Sequence, residues 1–200
     1  MKYFILSFFI FFAISASSQA PQKAEDISPL LISESIPSTS FMDLEGKIVN
    51  SSDLLKGRKS VMIFYRGGWC PYCNSHRSEV GLVENEIKAL GYQVLAFSPD
   101  SPSKLMETEQ KGSFQYNLYS DAEGKLMETM GIAFQAPDRY NERLSLVSDG
   151  KNPGLLPVPS VFVVDENEVI IFEYISPNYK GRIGADLLLD VLKRLNQETE

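Results

Sequence analysis

A short apolar run, VMIFY at 61–65, leads through RGGW to two cysteines three residues apart, Cys70 and Cys73, with Pro71 directly after the first. An unbroken apolar run of that length suits a strand buried on both faces. Pro71 suits the first position of a helix, where a missing N–H is harmless. The cysteines therefore fall on a first helical turn, straight after a buried strand. In that setting a Cys-x-x-Cys pair is a redox signature. Residues three apart on one turn face the same side, so their sulfurs can close a small disulfide ring. The positive end of the helix stabilises a thiolate, which is the nucleophilic form.

Other readings of the pair are weaker. A purely structural disulfide around so small a loop removes little chain entropy. A structural zinc site usually takes four Cys/His ligands, and the chain has two cysteines and one histidine. Haem attachment needs histidine directly after the second cysteine, where Asn74 stands. No metal and no organic cofactor is implied. The 200 residues, 44% hydrophobic and 22% charged, fit one globular domain. Net charge is −7 and the basic residues are spread thinly, without the stripe that a nucleic-acid partner requires.

The chain opens MKYFILSFFIFFAISASSQA. A basic Lys2, a dense apolar run and small residues at Ser18 and Ala20 read as a secretory signal peptide over 1–20. The apolar run is shorter than the about 20 residues of a spanning helix. The expectation is an exported protein, periplasmic or secreted, with no stable membrane insertion once the leader is removed. Residues 21–39 are polar with scattered prolines and read as a loosely held arm. Residues 40–200 form the domain, opening on a hairpin around Glu45-Gly46. A capped helical turn at 51–55 follows, then the 61–65 strand and a helix whose apolar spacing runs through Val80, Val83, Ile87 and Leu90 to Gly91. Strands are expected at 92–97, 114–120, 159–165 and 168–174. Helices are expected from Ser101 or Ser103 to about Lys111, from the Asp121 cap to Met130, and along Ile183 to Leu195. Prolines and glycines mark 135–157 as an insertion or lid. This alternation means an α/β sandwich with a parallel part and a closing antiparallel hairpin.

Residues 40–175 resemble the thioredoxin superfamily, and within it the peroxiredoxin-like (AhpC/TSA, redoxin) branch. Two patterns overlap in FYRGGWCPYC. The thioredoxin pattern Trp-Cys-x-x-Cys, here Trp69-Cys70-Pro71-Tyr72-Cys73, makes Cys70 the attacking thiol and Cys73 the buried resolver. The peroxiredoxin pattern matches Phe64, Tyr65, Pro71 and Cys73, and makes Cys73 the attacker; Arg66 and Cys70 replace its proline and threonine. The Pro71-Tyr72 pair is also that of glutaredoxins. The resemblance implies a three-layer α/β/α sandwich with a mixed central sheet and an N-terminal hairpin extension. It implies a cis-proline facing the cysteines, matched by Val158-Pro159. The family's peroxide-holding arginine is missing beside that proline, which leaves Arg66 as a substitute. The buried aspartate of thioredoxin corresponds to Phe64. His76, one turn after Cys73, is a candidate proton shuttle with Glu79 to orient it, or else a surface histidine. Trp69 and Tyr72 are expected as exposed aromatics forming a docking surface.

The leading functional expectation is a thiol peroxidase that cycles Cys70 and Cys73 between dithiol and disulfide, recharged by thioredoxin or a similar dithiol donor. One alternative is an exported thiol-disulfide oxidoreductase acting on protein disulfides. The other is a non-enzymatic redox-sensing or partner-binding module.

Overall fold

The computed structural model describes residues 19–112 and 114–197, so the expected leader lies outside the described residues apart from Gln19 and Ala20. The elements run β1 Ser40–Met42, β2 Ile48–Asn50, α1 Ser51–Leu55, β3 Ser60–Phe64, α2 Pro71–Leu82, α3 Glu84–Ala89, β4 Gln93–Ser98, α4 Pro102–Lys111 and β5 Asn117–Ser120. They continue with α5 Lys125–Thr129, β6 Ala133–Gln135, α6 Asn141–Val147, β7 Leu155–Pro157, β8 Ser160–Val164, β9 Ile170–Ile175 and α7 Ala185–Gln197.

A seven-stranded mixed sheet forms in the order β2-β1-β5-β4-β3-β8-β9. β3, β4 and β5 are parallel neighbours, whereas β8 runs antiparallel to β3, and β9 runs antiparallel to β8. The apolar strands are buried on both faces, and their two-residue period sorts them into two cores. Val61, Ile63, Val94, Ala96 and Val161 pack toward α2, α3, α4 and α7 through Val80, Ile87, Leu105 and Leu188. Met62, Phe64, Leu95, Phe97 and Phe162 pack toward α1 and α5 through Leu55, Leu126 and Met127. The result is the three-layer thioredoxin-like sandwich, with the β1–β2 hairpin added at one edge. Among the described residues no helix is long and apolar enough to cross a membrane.

Several details differ from the sequence reading. The helix expected to run to Gly91 breaks at Val83 (φ −105°, ψ 6°), whose N–H bonds back to Val80 and tightens the last turn of α2. Only 117–120 of the expected 114–120 strand pairs. Asp121 caps as expected, accepting from the Leu126 and Met127 N–H groups at 3.0 and 2.8 Å, but α5 starts later, after Gly124 in the left-handed conformation. The 135–157 insertion is closed at its base by an unexpected two-stranded sheet, β6 with β7. The Val158–Pro159 peptide is trans, not cis. There the chain runs extended, the Val158 N–H bonding Ile132 O and the Ser176 N–H bonding Pro159 O.

The arm at 21–39 is not loosely held. Ile27, Leu30 and Ile36 pack on the second core. Backbone bonds join Ser33 N to Ile170 O, Ile36 N to Glu168 O, and Ile170 N to Glu34 O. Sparse apolar residues among polar ones suffice once a sheet edge offers bonding partners. Ile36, 4% exposed, carries much of this anchorage. We expect Ile36→Ala to cost about 2–5 kcal/mol in urea unfolding, as for other buried aliphatic truncations; a free arm would show no loss.

Candidate active site

The parallel pairing of β3 with β4 extends one residue past β3, where the Tyr65 N–H bonds Phe97 O. The chain then turns through Arg66, Gly67 and Gly68. Gly67 sits at φ +133°, and a side chain there would run into Trp69 Nε1 and Asp100 Oδ1, so glycine is required twice over. The Gly68 N–H donates to Asp100 Oδ2 at 2.6 Å, and Gly68 O accepts from Asn74 Nδ2 at 2.9 Å. Cys70 is the residue before the first turn of α2, with extended backbone, and its carbonyl accepts from the Cys73 and Asn74 N–H groups. Pro71 opens the helix as expected.

Both thiols are free and almost inaccessible, Cys70 at 2% and Cys73 at 0% exposure. Their charges are strongly unequal. The Cys70 thiol is pulled down to about 6, chiefly by the hydrogen bond from Cys73, which outweighs burial; the charges of Arg66 and Arg182 add to it. The Cys73 thiol is pushed well up by burial and by its neighbour Cys70. One proton is thus shared so that the negative charge sits on Cys70.

Arg182, in the loop between β9 and α7, was not anticipated. Its Nη2 donates to Cys73 Sγ at 3.3 Å, and its Nη1 is anchored on the Tyr179 and Gly181 carbonyls. It fills the place of an arginine at the sulfurs, a place the sequence reading assigned to Arg66. Arg66 is 3% exposed and its guanidinium lies over rings, 4.6 Å from both the Tyr140 and Tyr179 ring centres and 5.1 Å from that of Trp69, while its charge still favours the Cys70 thiolate. Asp100 was also missed. Phe64 is a core residue as its position implies, but the next parallel strand supplies a buried carboxylate three residues beyond Phe97. Burial raises Asp100 to about 6 against the pull of the Gly68 N–H and Arg77.

His76 is neither a surface residue nor a charged partner of the thiolate. Three positions after Cys73, it shares the inward face of α2 with Val80 and is 4% exposed. Burial, then the charge of Arg182, pushes it down to about 4, so it is neutral at physiological pH. Glu79 does not orient it; that carboxylate accepts from Ser75 Oγ. Tyr72 is exposed as expected and meets Tyr179 edge-on at 5.8 Å. Trp69 is half-buried under Tyr140 of the insertion, 5.6 Å between ring centres. Pro159 is buried at the head of β8. Among the described residues, no cluster of His, Cys, Asp or Glu is arranged to hold a metal ion.

A thioredoxin-like sheet thus carries a pair of free thiols of unequal acidity at the tip of α2. A family model described as the AhpC/TSA family matches residues 32–173, and the chain belongs to that family. It is similar to a Haemophilus influenzae protein named "Putative peroxiredoxin bcp", 28% identical over 106 residues, 53% of this chain and 68% of that one. Among solved structures it is similar to peroxidoxin BcpB of Mycobacterium tuberculosis, at TM-score 0.66 and 18% identity over 84% of this chain and 97% of that one. PrxQ of Xylella fastidiosa gives TM-score 0.67 at 16% identity, over 86% and 99% of the two chains.

The unequal thiols are directly measurable. Alkylation by iodoacetamide should rise with pH through a midpoint near 6, reporting Cys70. Cys73→Ala should shift that midpoint upward by about one unit or more, because the neutral thiol no longer donates to the thiolate. A midpoint that stays put would locate the charge elsewhere.

Proposed function

We propose that the protein is a thiol peroxidase in which Cys70 and Cys73 reduce peroxides and are recharged by thioredoxin or a similar dithiol donor. The observation that carries this reading is the pairing of a Cys70 thiol at about 6 with a protonated neighbour, both cysteines being buried. Family membership and the peroxiredoxin-like relatives support the same chemistry.

In this reading the Cys70 thiolate attacks the O–O bond of the peroxide. One oxygen stays on sulfur as a sulfenic acid, and the other leaves with a proton as water or alcohol. Cys73 then loses its proton and its sulfur attacks the Cys70 sulfur. Hydroxide leaves and takes up a proton as water, and the disulfide forms. Arg182, 3.3 Å from Cys73 Sγ, stabilises the negative charge which that step requires. The external dithiol returns two electrons and two protons. This order departs from the family pattern, which puts the attack on Cys73. The leader-like 1–20 segment places the activity outside the cytoplasm in this proposal.

A second reading, exchange with protein disulfides, is favoured by the same order of acidity, lowered at the first cysteine and raised at the second. Mixing the reduced protein with hydrogen peroxide, and separately with a scrambled protein disulfide, distinguishes the two by the rate of thiol loss. We expect fast loss with peroxide and slow exchange. Cys70→Ser should lower peroxide consumption by about a thousandfold or more. Cys73→Ser should still form one equivalent of sulfenic acid, trapped by dimedone, but no disulfide. Loss of the first step in Cys73→Ser with retention in Cys70→Ser would reverse the assignment.

A further inference from the structure

We propose that the insertion between β6 and β7 builds a carboxylate-recognising rim over the cysteine pair, which selects small organic reactants carrying a negative charge. The inference rests on the dithiol cycle above and adds the class of reactant. The insertion packs through its own small core, Ala136, Leu144 and Leu156, against Trp69, the residue before Cys70. This contact delivers Arg139, Tyr140 and Arg143 to the site. Arg139 lies 4.9 Å from the Tyr140 ring centre and Arg143 lies 5.6 Å from that of Trp69. From the opposite side, the loop after β9 brings Tyr179 and Lys180, the latter 6.0 Å from the Tyr179 ring centre. Arg66 is stacked between Tyr140 and Tyr179 and joins the two sides.

An arginine packed over a ring has its planar fork of N–H donors held in place, the arrangement that matches a carboxylate. The rings supply that order without a carboxylate partner. Among the described residues, none of the ion pairs includes Arg66, Arg139, Arg143, Lys180 or Arg182. Arg66 Nε is buried and makes no hydrogen bond. Positive charge here already reaches the reacting atoms, since Arg66 and Arg182 both favour the Cys70 thiolate. Hydrogen bonds from Arg66 and Arg139, and then their charges, hold the Tyr140 phenol below its usual value. The carboxylates of the insertion, Asp138, Glu142 and Asp149, are in none of the ion pairs among the described residues; Asp138 accepts instead from Asn141 at 3.4 Å. A cationic, ring-lined mouth on a chain of net charge −7 is a local exception that selects by charge.

A carboxylate-bearing reactant can be either the oxidant or the reductant, and two arms separate them. In the first, the reduced protein is mixed with hydroperoxyhexanoate or its methyl ester. In the second, protein oxidised with diamide is mixed with mercaptopropionate, mercaptoethanol or cysteamine. Rates are corrected for thiolate fraction and for reactivity toward a free model disulfide. We expect the anionic reactant to lead in at least one arm by about tenfold, the lead shrinking at high salt. In Arg139→Glu/Arg143→Glu it should vanish or invert; both residues are exposed, so the fold is retained. The arm that responds identifies the reactant. Flat series in both arms, or a lead unchanged in the double variant, overturn the inference. So does an effect of the variant confined to reduction by thioredoxin, which would make the rim a protein-docking surface. Failure of the protein to consume any peroxide would instead overturn the peroxidase reading, and the diamide arm would still test the rim.

Discussion

The hydrogen bond from the Gly68 N–H to the Asp100 carboxylate, 2.6 Å long, holds the cysteine loop to the sheet. It exists because β3 and β4 run parallel with Phe64 opposite Phe97, so that both strands end at the same level. One end carries the loop and the other carries the acid. Burying Asp100 is unfavourable, and the cost is offset by the amide it accepts from and by nearby Arg77. Arg77 is itself held between Tyr65 and Phe114, at 4.6 and 5.1 Å from their ring centres, and bonds Asn74, which grips Gly68 from the other side. The backbone before Cys70 is therefore fixed on both flanks, and the glycine at φ +133° makes that approach possible.

With the loop fixed, two nearby thiols differ by where they sit on one helix. Cys70 stands just before the first turn, where the Cys73 thiol and the Cys73 N–H hydrogen-bond its sulfur and favour charge. Cys73 lies inside the turn, wholly buried, and keeps its proton. Each state of one sulfur sets the other, so the titration belongs to the pair. Arg182 adds a fixed positive charge on the Cys73 side without abolishing the asymmetry.

Much of the architecture could be read from local pattern. The apolar runs at 61–65 and 159–165 and the helical spacing of 183–195 are strong signals that tertiary context did not override. The helix break at Val83 and the β6–β7 pairing were not legible, because each depends on contacts made across the fold rather than on periodicity. The same holds at the site. Cys70, Cys73 and Pro71 were placed correctly from spacing alone. Arg182 lies 109 residues beyond Cys73 in an irregular loop, where no periodicity marks it. Asp100 had a usable clue, as it follows a strand parallel and adjacent to the one carrying the cysteines, and chemistry in such sheets gathers at the strand ends. His76 was misjudged because helical position alone does not say which face is inward.

The strap of residues 33–36 along β9 has a consequence for the order of assembly. Residues 33–36 bond Glu168 and Ile170, at the turn into β9 and its first residue, so this corner of the sheet cannot be finished before nearly the whole polypeptide is available. Until then the start of β9 presents unpaired amide and carbonyl groups, the arrangement that recruits foreign strands. Such long-range closure slows folding, and it makes the cover over the start of this edge strand one of the last contacts to form.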